Sequence, residues 1–222
     1  MPYLGVALFA EGVTDHRFFA PLLVRLIEEI YYEAGRGTLE LGDVIVLEAG
    51  EDERHLPRDE QIVAAARRNS GAFHILCVHA DGGGNPRRVH DQQVSPGLTL
   101  ALEVLGNGYA GVSLVPVREM EAWTIVDGDA LRRAFRTTLQ DDVLGVVPRP
   151  RDCEKVADPK AVLDRAYAQT LPGSKRGTNT TAAGVLQLIA ESVRLDLLRQ
   201  VPAFSAFRTD LKAALRRLGY LA

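Results

Sequence analysis

Four short segments of this chain are almost continuously apolar, and the stretches between them are long enough to hold helices. The apolar segments lie at 3–10, 43–49, 73–80 and 111–117. Strands that are apolar throughout, rather than alternating with polar residues, are typical of parallel sheets covered by helices on both faces. The segments at about 15–34, 59–69 and 96–106 are interpreted as those helices. The sequence therefore predicts an α/β fold with a mostly parallel four-stranded sheet flanked by helices.

The pattern changes near residue 129. Before residue 129, two local features are predicted. Thr14 is the expected N-cap of the first helix, and residues 119–126 are expected to form a short helix. Beyond it the apolar spacing is helical and strand-like runs are missing, with loops expected near 145–155 and 172–179. We therefore predict an α/β domain over 1–128 and a helical C-terminal extension over 129–222 that packs on it.

Charge is divided unevenly between these two parts. The 222 residues carry a formal net charge of −3, but the first 128 hold 19 acidic and 10 basic residues, and the remainder holds 10 acidic and 16 basic residues. One interpretation is ordinary solvated surface. The other is that the acidic side chains gather around a metal ion while the basic ones bind a polyanion.

Several features indicate a cytoplasmic protein. No apolar run approaches the roughly 18 residues that a membrane helix needs, so no membrane contact is expected. The first residues lack a basic segment and are followed at once by a predicted strand, so no signal peptide is expected. Cys77 and Cys153 are far apart in sequence and are interpreted as buried free thiols.

Acidic residues follow three of the four predicted strands. Glu11 comes after the first, Asp81 after the third, and Glu119 and Glu121 after the fourth, while Asp15 lies one helical turn beyond Glu11. Open parallel sheets bind ligands at the carboxyl ends of their strands. Carboxylates that meet there repel one another, and a hard divalent cation relieves that repulsion. This placement favours phosphodiester chemistry over acid–base work on a neutral substrate.

Each candidate also has a plainer interpretation. A single acidic residue after a strand is most often a cap or turn residue, and Gly82-Gly83-Gly84 lacks the spacing of a phosphate-binding P-loop. His79 and Asp81 are two residues apart, so they can share a strand face near the site; otherwise His79 is interpreted as structural. The basic candidates for contacts to a nucleic-acid backbone are Lys155, Lys160, Lys175 and Arg176.

Several stretches, in this order, have a familiar arrangement. They are Glu-Gly-Val-Thr-Asp at 11–15 followed by Phe18-Phe19, Asp81 after a strand, Pro-Val-Arg-Glu-Met-Glu-Ala-Trp at 116–123, Glu-Lys-Val-Ala-Asp-Pro-Lys at 154–160, and Val-Pro-Ala-Phe at 201–204. The chain resembles the Toprim superfamily, and especially the stand-alone Toprim-like proteins of bacterial defence, which include RloB-like and abortive-infection proteins related to OLD-type nucleases.

The resemblance implies roles for four carboxylates. Glu11, Asp15, Asp81 and Glu121 would bind Mg²⁺ or Mn²⁺, and Glu11, Asp81 and Glu121 would be catalytic. The family's hallmark Asp-x-Asp is incomplete here. If Asp81 is its first member, Gly83 replaces the second; if Asp81 is its second member, His79 replaces the first. A one-metal nuclease, a different nucleic-acid target and a degenerate scaffold all remain open.

The leading functional expectation is metal-dependent cleavage of DNA or RNA in phage defence. An ATPase of the AAA or ABC type and a second copy of the chain in a homodimer are the expected protein partners. A non-catalytic subunit that binds a nucleotide or a protein is the alternative, and primase-type nucleotidyl transfer is a third possibility.

Overall fold

The computed structural model describes residues 2–171 and 181–222. Its strands are β1 (Tyr3–Leu4), β2 (Val6–Phe9), β3 (Glu40–Leu41), β4 (Ile45–Leu47), β5 (Ile75–His79) and β6 (Ala110–Leu114). Its α-helices are α1 (Val13–Ala34), α2 (Arg58–Arg68), α3 (Pro86–Val89), α4 (Ser95–Leu105), α5 (Gly128–Phe135), α6 (Pro159–Thr170), α7 (Leu186–Ser192), α8 (Leu195–Leu198) and α9 (Pro202–Arg217).

The main sheet has the order β4-β2-β5-β6, and all of its strands are parallel. The chain moves outward from β2 to β4, then crosses back to place β5 on the other side of β2. This reversal makes the boundary between β2 and β5 the switch point, where the loops after the two strands diverge and leave a crevice. The predicted α/β class with a parallel four-stranded sheet and a helical C-terminal region is confirmed.

The two faces of the sheet belong to two hydrophobic clusters, which explains why the strands are apolar throughout. Val6 and Leu8 of β2 join the cluster beneath α1 and the C-terminal helices. Ala7 and Phe9, which alternate with them, join the cluster beneath α2 and α4. Successive strand residues point to opposite faces, so every position of this strand is buried.

The C-terminal helices share the first of these clusters with the sheet. The Trp123 ring is fully buried and lies edge-on between Phe19 of α1 and Phe204 of α9, with ring centroids 5.8 and 5.2 Å away. Trp123 is therefore a core residue that joins the sheet to the C-terminal helices. The division at residue 128 stays a prediction, because one continuous cluster runs across it.

Several local expectations were wrong. The first helix is capped by Gly12 and not by Thr14, because the Asp15 side chain accepts a hydrogen bond from the Gly12 backbone N–H at 3.0 Å. The segment predicted as a helix over 119–126 is a 3₁₀ turn at Met120–Trp123. The small parallel pair of β1 and β3 was not foreseen, since two-residue strands carry no recognisable pattern.

Two other expectations concern the cysteines and the membrane. Cys77 and Cys153 are both buried free thiols, as expected. None of the helices within 2–171 and 181–222 is long and apolar enough to cross a bilayer.

Candidate functional site

Asp15 lies in the first turn of α1, just beyond the end of β2. Its Oδ2 accepts the Gly12 N–H, which fixes the side-chain rotamer, and the residue is only 8 % exposed. Its other oxygen, Oδ1, lies 3.8 Å from Nε2 of His79 at the end of the neighbouring strand β5. The pKa of Asp15 is raised, mainly by burial, while the nearby His79 opposes the rise and the nearby Asp81 adds to it.

His79, at the end of β5, is almost completely buried, with 1 % of its surface exposed. Its Nδ1 is 2.9 Å from the carbonyl oxygen of Leu114 on β6. A carbonyl oxygen can only accept, so Nδ1 carries the hydrogen and donates it. Nε2 then points toward the crevice, 3.4 Å from Asp81 Oδ1 and 3.8 Å from Asp15 Oδ1, without a hydrogen-bond partner among the described residues.

Asp81 connects this pair of strands to the segment after β6. Its Oδ1 accepts a hydrogen bond from the backbone N–H of Met120 at 3.3 Å, while 42 % of its side chain remains exposed. That bond ties Asp81 to the 3₁₀ turn that carries Glu121. A glycine at position 82 makes this arrangement possible. The Gly82 N–H donates to the Pro116 carbonyl oxygen at 3.1 Å, and the two backbones are so close that a Cβ at residue 82 would collide with that oxygen.

Glu121 is the second buried carboxylate of the cluster, with 8 % of its surface exposed. Burial raises its pKa to about 7; the charges of Asp81 and Glu119 add to the rise, and Lys160 on α6 opposes it. A carboxyl group with a pKa near neutrality exchanges protons readily at physiological pH. Asp81 therefore interacts electrostatically with both Asp15 and Glu121.

Glu11 is placed differently from the other three carboxylates. Its Oε1 forms an ion pair at 2.9 Å with the guanidinium of Arg58, at the start of α2. Arg58 also donates to the carbonyl oxygens of His79 at 2.6 Å and Gln93 at 3.1 Å, and its guanidinium lies 5.6 Å from the centre of the Phe9 ring. Glu11 as a metal ligand stays a prediction, but in this structure its charge is already balanced.

A cleft of about 500 Å³ opens beside the ion pair, between the carboxyl ends of β2 and β4. Its lining includes the side chains of Glu11, Arg54, Arg58 and Gln61. His16 of α1 lines it as well and lies 3.8 Å from Glu48, and its pKa is lowered mainly by burial. The cleft is thus lined by two guanidinium groups, a residue type that suits a phosphate, and by the carboxylates of Glu11 and Glu48, and one of the guanidiniums, Arg58, is already paired with Glu11.

The predicted basic contacts fall in different places. Lys160 is exposed at the first turn of α6 and acts electrostatically on Glu121. Lys155 is exposed and paired with Asp152 at 2.8 Å, in a 3₁₀ helix (Pro150–Lys155) that packs near the turn bearing Glu121. Lys175 and Arg176 lie outside the described residues. The glycines at 82–84 use their N–H groups on the carbonyls of 116–118, so these groups do not cradle a phosphate.

Arg58 and His79 are the site residues whose role the sequence reasoning missed. Arg58 lies 47 positions from Glu11 in a helix start with no motif of its own. His79 was singled out only for its spacing to Asp81. The one signal that favoured it was that spacing, since a buried histidine is more often structural.

The fit of a divalent cation can be judged from the donors present. Within 2–171 and 181–222, no group of three or more His, Cys, Asp or Glu side chains is placed so that it could hold a metal ion. Nε2 of His79 lies at ion-pair distance from Asp81 and Asp15. Asp15 and Asp81 are therefore the two carboxylates near each other that a cation would bridge, and Glu11 is held by Arg58 instead.

Comparisons with protein-family models, with curated proteins and with solved structures found no match to this chain.

Proposed function

We propose that this protein cleaves phosphodiester bonds of nucleic acid with the help of a divalent cation, Mg²⁺ or Mn²⁺. The observation that carries the proposal is the meeting of Asp15, Asp81 and Glu121, from three separate segments, at the switch point of a parallel sheet. Neighbouring carboxylates repel one another, and a bound cation is one means of relieving that repulsion. The cation would stabilise the negative charge that develops on phosphate oxygens during displacement.

The side chains at the site have different proposed roles, which follow from their chemistry. Asp15 and Asp81 would hold the cation, and Asp15 is kept in place by the Gly12 N–H. Glu121, whose pKa of about 7 lets it both give and take a proton, orients the attacking water or protonates the leaving oxygen. Arg58 and Arg54 bind the phosphate backbone in the adjacent cleft, and Glu11 holds Arg58 in position.

The biological setting follows only from the Toprim-like resemblance. We extend the proposal to a cytoplasmic protein that works with an ATPase of the AAA or ABC type in phage defence, with the homodimer as its own assembly. The crevice between β2 and β5 is the place where DNA or RNA would reach the carboxylates.

A second function is favoured by a different observation. The ion pair of Glu11 with Arg58 neutralises one of the four predicted carboxylates before any ligand binds. A non-catalytic subunit that binds a nucleotide or a protein needs no such metal ligand, so this pairing favours it.

The two functions are separated by cleavage assays on supercoiled plasmid and labelled RNA, with Mg²⁺ or Mn²⁺ added to metal-free protein. We expect metal-dependent cleavage by the parent chain, its loss in Asp81→Asn and Asp15→Asn, and its retention in Asp142→Asn. Asp142 is exposed and remote in sequence from the cluster, so it controls for the change of charge. Cleavage that persists in both cluster variants would refute the proposal. Salt-sensitive binding without cleavage would favour the second function.

A further inference from the structure

A groove with a mostly apolar lining lies between α2 and α4. Its volume is about 610 Å³, and its lining includes Val63 and Ala64 of α2 and Leu100 and Val104 of α4. Leu100 and Val104 are 41 % and 53 % exposed, although such side chains are more stable away from water. Exposed apolar side chains that are grouped, rather than scattered, mark a surface that another molecule covers.

The two helices that form the groove are closely packed on each other. Gly97 of α4 approaches α2 so closely that a Cβ on it would lie 2.6 Å from Ile62 Cδ1 and 3.0 Å from Asp59 Cα. α2 connects β4 to β5, and α4 connects β5 to β6. Because these strands are all parallel, the two helices run in the same direction. They therefore present one face made of two side-by-side helices.

Two charged residues of this groove are left without partners. Glu60 and Arg67 line the groove and are exposed, and neither has an ion-pair or side-chain hydrogen-bond partner within 2–171 and 181–222. By contrast, Glu53 and Arg68 in the same lining form an ion pair with each other. Glu60 and Arg67 are seven positions apart on α2, so they lie on the same side of the helix, about 10 Å apart along its axis. The groove thus has an unpaired negative charge near one end of α2 and an unpaired positive charge near the other.

This charge pattern is complementary to a second copy of itself. A two-fold axis perpendicular to α2 places the α2 helices of two copies antiparallel, with the same patch used by both. An axis level with Val63 and Ala64, midway between the charges, makes Glu60 of each copy face Arg67 of the other. The apolar side chains then meet at the centre and the charges at the rim, which is the usual distribution in protein interfaces.

We propose that this groove is the interface of a homodimer, in which α2 and α4 of two copies pack together with the two α2 helices antiparallel. The inference goes beyond the proposed function, because it assigns a surface to the dimer and does not depend on cleavage. Each helix has 11 residues and is about 16 Å long, so the face is small for a specific interface. We therefore expect a reversible dimer with a Kd in the micromolar range.

Self-association is measured by sedimentation equilibrium on the full chain, without metal or nucleic acid, at increasing protein concentration. Leu100→Glu places a charge in the groove at an exposed position, and we expect it to raise the Kd of the dimer by at least about tenfold. Leu188→Glu is the matched control. Leu188 is 47 % exposed on α7, which packs on α1 and α5, so the Kd should not change. Far-UV circular dichroism checks that both variants are folded.

Charge reversal tests the antiparallel arrangement itself. Glu60→Arg alone or Arg67→Glu alone makes like charges face each other at both ends of the interface, and each should weaken the dimer by about tenfold. The double variant Glu60→Arg/Arg67→Glu restores both pairs, so its Kd should return toward that of the parent. A mixture of the two single variants should also associate, because each Arg then faces a Glu. Both positions are exposed, so the fold tolerates these changes.

The outcomes separate this inference from the proposed function. A chain that stays monomeric at every concentration, or a dimer that Leu100→Glu leaves intact, overturns the assigned interface even where nucleic acid is cleaved. Single charge variants that weaken the dimer without rescue in the double variant overturn the antiparallel arrangement. A dimer that responds as expected supports the interface whether or not the protein cleaves nucleic acid.

Discussion

Replacing Glu121 by glutamine should stabilise the protein in a manner that depends on pH. The residue is 8 % exposed, and burial raises its pKa to about 7 from its ordinary 4.5. A carboxyl group with a raised pKa binds its proton more tightly in the folded chain than in the unfolded chain. Below pH 4.5 it is protonated in both states and has no effect; as pH rises toward 7, ionisation of the unfolded chain lowers the stability of the fold.

The magnitude follows from the two pKa values. One pKa unit corresponds to about 1.4 kcal/mol, so ionised Glu121 destabilises the folded state by about 3 kcal/mol above pH 8. Glutamine has the same shape and no charge, so Glu121→Gln removes this penalty. For a chain of this length about 1 kcal/mol moves the melting temperature by about 2 to 4 °C, which gives an increase of about 6 to 12 °C.

The assay is thermal unfolding of metal-free parent and variant from pH 4.5 to pH 8.5. We expect the two melting curves to coincide near pH 4.5 and to separate progressively as pH rises. Glu103→Gln is the matched control, because Glu103 is exposed and hydrated in both states, and it should show no such trend. A difference between Glu121→Gln and the parent that is the same at every pH would refute the reasoning. The stabilised variant should also lose nucleic-acid cleavage.

Two further predictions test the surroundings of the cluster. Arg58→Ala should weaken salt-sensitive binding of nucleic acid by at least about tenfold, as measured by fluorescence anisotropy, whereas the exposed Arg87→Ala should have little effect; equal losses would contradict a role for the cleft. Gly82→Ala places a Cβ closer than 3.0 Å to the Pro116 carbonyl oxygen and should cost about 2 to 4 kcal/mol in chemical denaturation. Gly83→Ala, at a φ of +55° in open space, should cost about 1 kcal/mol, so a reversed ranking would contradict the structure.

Glu11 and Asp15 show which feature of the site the sequence does not predict, namely which carboxylate contacts the cluster. Both carboxylates were predicted to share one edge of the sheet, and both do follow β2. Asp15 contacts the cluster because the turn at Gly12 brings α1 back over the switch point. Glu11 instead forms an ion pair with Arg58. The position of Arg58 depends on how α2 packs against the sheet and not on any residue spacing near Glu11.

His79 illustrates the same limit from the other direction. Its two-residue spacing to Asp81 was visible, but the spacing alone also suits a buried structural histidine. Its interpretation changes only when the Leu114 carbonyl is seen to take Nδ1–H and leave Nε2 facing two acids. Leu114 is 35 residues away on another strand, so no local sequence pattern indicates this hydrogen bond.

The amino-acid sequence by itself determined the four apolar strands, the helices between them and the presence of acidic residues just past the strand ends. These follow from local rules, because burial on both faces requires unbroken apolar strands and turns require polar residues. The tertiary structure alone decided that β2 and β5 are neighbours, that Arg58 neutralises Glu11, and that Nε2 of His79 lies between Asp15 and Asp81. Each of these depends on contacts between residues far apart in the chain, and such contacts form only when the whole core packs.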